Sequence, residues 1–279
     1  NKTGSGWIYI ISSDLASLPS YGEAWTNCVG YVSGDPANIA NWDIASDAAF
    51  MPKITGATSG DSNAITNATS AHHYRFVGCE IKNSGSLTNV TATVALGSGC
   101  TLDSQVPTHI IFDRCYIHGS TSATAPGIRG VQMNGENLAC VGCYIADYFV
   151  DQADTQAVFS RMGNGPFKVV NNFLQASGEN IMFGGADPTI PNSVPSDIEI
   201  RHNVFYKPPS WVGTAFDVKN HLEFKNAQRA WVKGNLFVNN WLASQSGFFF
   251  LITPRNQGGA APWCIVQDIT FELNKCVAT

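Results

Sequence analysis

The sequence predicts an all-β fold, a single-stranded right-handed parallel β-helix with three short strands per coil. Three observations predict it: a degenerate repeat of about 30 residues along most of the chain, an anchor column of Cys and then Asn at one place in every repeat, and a composition poor in charge and rich in turn formers.

Seven segments superimpose: HYRFVGCEI, HIIFDRCYI, NLACVGCYI, PFKVVNNFL, DIEIRHNVF, RAWVKGNLF and DITFELNKC. Their anchors are Cys79, Cys115, Cys143, Asn172, Asn203, Asn235 and Asn274. Apolar residues stand five and three places before each anchor and two places after it. The first pair keeps the two-residue period of a strand, but the step of three to the anchor is odd, so a corner must lie between. Such a unit cannot bury its apolar side alone and must stack on copies of itself at about 4.8 Å. Stacking also accounts for the anchor: an Asn amide buried at a bend finds partners in the amides above and below it.

A third strand per coil is predicted from VQMNG, VFSRMG, NIMFGG, LEFKN and FFFLITPRN, with Asn134 and Asn226 each nine residues before the next anchor. Residues 35 to 50 can hold a short helix within a loop. The chain reads as one domain over 1–279, less regular over 1–70 and regular over 71–279, and as part of a longer protein with open ends.

Charged residues make up 13 % of the chain, about half the usual fraction. With a net charge of -5 and no run of Lys or Arg, nucleic acid is not an expected partner. No apolar run approaches the length of a membrane span. Eight cysteines and sequons at Asn1, Asn67 and Asn89 point to a secreted, extracellular or cell-surface protein.

The stretches SGENIMFGGADP, PSDIEIRHNVF, LEFKNAQRAWVKGNLF and QSGFFFLITPRNQGG resemble uncharacterised secreted bacterial β-helix repeat proteins of the pectin-lyase-like superfamily, over roughly residues 70 to 279. The resemblance implies the fold and a polysaccharide as the class of partner. It transfers no catalytic residue, because the WiDH, vTxS and RxPxxR motifs of the pectate-lyase type are absent.

Chemistry is expected where third strands bring distant residues to one side. Lys225 and Arg255 are candidates for neutralising a uronate and taking its proton, and Glu179, Asp187 and Glu223 for the carboxylates of a hydrolase. Arg161, Trp211 and Trp241 are candidate sugar contacts, with Trp263 a further exposed aromatic. Each also has a structural reading, as a solvated strand end or a loop cap. Cys140 and Cys143 read as core residues and not as half of a zinc site, and His72-His73 as a surface pair. Cys28, Cys100 and Cys264 are candidate disulfide partners, and neighbouring anchor cysteines could also bridge. No cofactor or metal is implied, calcium alone staying open. The functional expectation is an extracellular protein that binds or cleaves a polysaccharide along a lateral groove; the alternative is a self-assembling structural or surface fibre, joined end to end or side by side.

Overall fold

The computed structural model describes residues 3–18, 44–56, 63–84, 91–120 and 128–278. Its strands form three wholly parallel sheets that the chain visits in turn, as a parallel β-helix requires. The first sheet holds Ile8–Ile11, His72–Val77, Thr108–Asp113, Glu136–Val141, Phe167–Val170, Ser196–Arg201, Ala227–Lys233 and Val266–Glu272. The second holds Lys53–Thr55, Glu80–Lys82, Tyr116–His118, Tyr144–Tyr148, Phe173–Ala176, Val204–Tyr206, Leu236–Val238 and Lys275–Val277. The third holds Ile65–Thr66, Val94–Leu96, Arg129–Met133, Gln156–Ser160, Glu179–Phe183, Leu222–Phe224 and Phe250–Ile252.

The aligned columns are the structural columns: Leu138 pairs with Phe167, Phe167 with Ile198, and Ile198 with Ala230. Their side chains fill the coil together with Val158, Ile181, Phe183, Leu222 and Phe224 of the third sheet. The expected corner is made by the residue just before each anchor, which is left-handed in all seven coils: Gly78, Arg114, Gly142, Asn171, His202, Gly234 and Leu273 have φ between 50° and 63°. One such residue reverses the pleat phase, which is why the step to the anchor is odd.

The anchors form one hydrogen-bonded file. Each Asn amide oxygen accepts the backbone N–H of the anchor before it, and between successive Asn residues it also accepts that residue's Nδ2, at 2.8 to 3.0 Å. Each Asn Nδ2 also donates to a carbonyl of the preceding coil: Asn172 to Cys140, Asn203 to Val169, Asn235 to Ile200 and Asn274 to Val232. The cysteine anchors copy this last contact with sulfur, Cys115 Sγ reaching the Phe76 carbonyl and Cys143 Sγ that of Phe112. Cys and Asn are thus two solutions for one buried bend.

Several expectations change. Cys79, Cys115, Cys140, Cys143, Cys100 and Cys264 are all free thiols, and the anchor thiols of Cys115 and Cys143 reach main-chain carbonyls of the coil before; Cys28 lies outside the described residues, as do the sequons at Asn1 and Asn89. Of residues 35–50 the structure describes 44–50, and these hold the expected short helix as the turn Ile44–Ala48. The His72-His73 pair does not simply face water: the His73 ring stacks on His109 at 4.4 Å, with Trp7 edge-on at 5.1 Å. The less regular N-terminal region carries Ile8–Ile11, Lys53–Thr55 and Ile65–Thr66 in register with later coils, strands the alignment does not contain. Among the described residues no helix is long and apolar enough to cross a membrane.

Candidate functional site

The third sheet gathers most of the predicted residues, together with several the alignment did not flag. Its strand starts carry a file of polar side chains: Arg129 pairs in register with Gln156, and Gln156 with Glu179. Arg129 Nε donates to Gln156 Oε1 at 2.8 Å, and Gln156 Nε2 to Glu179 Oε2 at 2.8 Å. The other Glu179 oxygen, Oε1, is buried and meets no donor among the described residues. Burial, with the carboxylates of Asp154 and Glu223 nearby, pushes the Glu179 carboxyl well above the usual range. A proton on Oε1 makes it the donor that Asp154 can accept, while Lys219 Nζ stands 3.0 Å from Asp154 Oδ1.

Beneath this pair lies Lys207, fully buried at the end of a second-sheet strand. Its ammonium donates to the carbonyls of Ala176, Ser177 and Gly178 at 3.0, 2.9 and 2.6 Å, closing the bend between the second and third sheets. Burial pulls Lys207 down to about 7, against the upward pull of Glu179, Asp154 and Glu223. Nothing in a single sequence marks this residue, because its partners are backbone carbonyls of another coil.

One coil further on, Glu223 is fully buried and its Oε2 is 2.5 Å from Lys225 Nζ. Asn220 Nδ2 donates to Glu223 Oε1 and, at 2.7 Å, to Gln245 Oε1. Lys225 and Arg255, from successive coils, line a pocket of about 280 Å³ with Gln245, Ser246, Phe248, Leu251 and Thr253. Two of the predicted cations thus meet in one cavity, with Glu223 as the buried counter-charge that fixes Lys225.

The other candidates separate from this site. Asp187 accepts the backbone N–H groups of Gly258 and Ala260, each at 2.9 Å, and these bonds hold its carboxyl below the usual range. Both oxygens are spent on the loop after the last third-sheet strand. Trp211 is no exposed platform: it is 7 % exposed and packs against Phe149 and Phe216 at 5.5 and 5.9 Å. Trp241 is half-buried, its backbone N–H bound to Asn240 Oδ1, and Trp263 is half-buried too. Arg161 is half-buried at the end of a third-sheet strand; burial lowers its pKa and the nearby Asp187 charge raises it. A larger cavity of about 370 Å³ lies between Ile65, Tyr74, Phe76, Leu96 and Ile110, with no charged side chain in its lining. Among the described residues no three His, Cys, Asp or Glu side chains are placed to hold a metal ion.

Fold and site together define a parallel β-helix with a charged flank along its third sheet. Comparison with known proteins adds no relative: no family model, no curated protein and no solved structure matches the chain.

Proposed function

We propose that this is an extracellular β-helix protein of the pectin-lyase-like kind that binds an acidic polysaccharide along the third-sheet flank. The observation that carries the reading is the meeting of Lys225 and Arg255 in one cavity beside Phe248, with Glu223 buried behind Lys225. Two cations side by side suit a sugar carboxylate or sulfate, and an aromatic wall suits a pyranose face. Binding fits Lys225 better than proton abstraction, since its ammonium is already the partner of a buried carboxylate. The test is a binding panel of uronate-containing, sulfated and neutral polysaccharides, watched also for unsaturated products and new reducing ends. Selective retention of acidic polymers, lost in the Lys225→Ala/Arg255→Ala double variant, supports the reading; no binding across the panel refutes it.

A further inference from the structure

Four of the seven arginines are held by carboxylates: Arg75 and Arg114 by Asp113, Arg201 by Glu199, and Arg229 by Asp197. The other three, Arg129, Arg161 and Arg255, form no ion pair among the described residues, and all three stand on the third-sheet flank. Arg255 belongs to the pocket above; Arg129 opens the strand Arg129–Met133 and Arg161 follows its neighbour Gln156–Ser160. The Arg129 guanidinium carbon is 4.3 Å over the Phe159 ring, and its Nε is fixed by Gln156. Its terminal N–H groups meet no acceptor among the described residues. Arg161 directly follows the strand Gln156–Ser160 that carries Phe159, and its guanidinium has no acceptor among the described residues either. Burial lowers the pKa of Arg129 most; the Asp154 and Glu179 carboxyl groups raise it, and Arg161 is close enough to lower it.

Two partly desolvated guanidiniums that repel one another are costly unless an anion joins them. The nearby carboxyl groups are bonded elsewhere: Asp187 to loop amides, Asp154 to Lys219, and Glu179 to Gln156. We propose that Arg129, seated over Phe159, and the neighbouring Arg161 form an oxyanion site for a carboxylate or sulfate group. This rests on the acidic-glycan reading and extends it. Three coil steps, about 14 Å, separate this pair from Lys225 and Arg255, so the flank presents two anion sites in line and takes an extended polyanion rather than a single acidic sugar.

The test is NMR of the arginine Nε–Hε groups of the whole protein, titrated with sodium sulfate and separately with sodium acetate, against sodium chloride of equal ionic strength. The expected result is a saturable shift of the Arg129 and Arg161 signals together, weakened about tenfold or more in Arg161→Gln. Arg161→Lys, which keeps the charge but not the fork, should recover part of the loss. The stronger of the two titrants identifies the group. Absence of a saturable shift, or an equal shift in Arg161→Gln, overturns the site. The Lys225→Ala/Arg255→Ala variant should keep both arginine shifts. An acidic polymer that binds the wild type without moving them would leave the functional reading standing and remove this site alone.

Discussion

Asn235 Oδ1 accepts two hydrogen bonds from Asn203, one from the backbone N–H at 2.9 Å and one from Nδ2 at 3.0 Å. Asn203 Oδ1 does the same for Asn172, so each amide is acceptor to one coil and donor to the next. Asn203→Leu removes the acceptor of two buried donors on Asn172. A loss of about 2–4 kcal/mol is expected in chemical denaturation. Asn172→Cys, which moves the Cys–Asn boundary by one coil, should cost less than half as much, since a thiol at the anchor already serves Cys143. Equal costs would contradict the ladder as described.

The same file predicts thiol behaviour. Cys79, Cys115, Cys140 and Cys143 are fully buried, and burial raises Cys115 and Cys140, while for Cys79 the neighbouring Cys115 thiol contributes first. Cys276 is exposed. Alkylation of the native protein should label Cys276 and spare these four until denaturant is added, with no disulfide among them by non-reducing mass analysis.

This column was legible in the sequence because its period is short and its chemistry strict: every coil of the alignment puts Cys or Asn at the buried place after the left-handed bend. The third strands were legible where a corner Asn kept register. The partnership of Glu179 with Asp154 and the role of Lys207 were not, because they depend on how far the loops at 149–155 and 207–221 carry a side chain. Trp211 differs from expectation for a related reason: a Trp beside prolines looks exposed until Phe216 of its own loop and Phe149 of a neighbouring loop cover it.

Glu179 should make stability depend on pH. Its folded value lies above the ordinary 4.5, so the folded protein holds a proton that the unfolded chain releases. That contribution is complete below about 4.5 and is lost as pH rises through the folded value. Lys207, lowered to about 7, acts in the opposite direction above that pH. Glu179→Gln keeps a donor for Asp154 and an acceptor for Gln156 without the titration. Wild-type stability should therefore fall relative to Glu179→Gln between about pH 5 and pH 7. Parallel curves would show that Glu179 is ionised in the fold.

Lys207→Met leaves the carbonyls of Ala176, Ser177 and Gly178 without their donor. A cost of about 3–5 kcal/mol is expected in denaturant melts, as when one partner of a buried charged network is removed. Lys207→Arg should not rescue it, because a planar fork does not match three carbonyls around one nitrogen.

Acidic-glycan binding along the flank is the central claim, and its most direct test is the affinity for an acidic polysaccharide at low and high salt, measured by calorimetry in parallel with a neutral polymer of similar length. Charge recognition by Lys225 and Arg255 predicts selective binding of the acidic polymer, about tenfold or more weaker in high salt and lost in the Lys225→Ala/Arg255→Ala variant. Equal affinity for the neutral polymer, or acidic-polymer binding that neither salt nor the double variant changes, would contradict it.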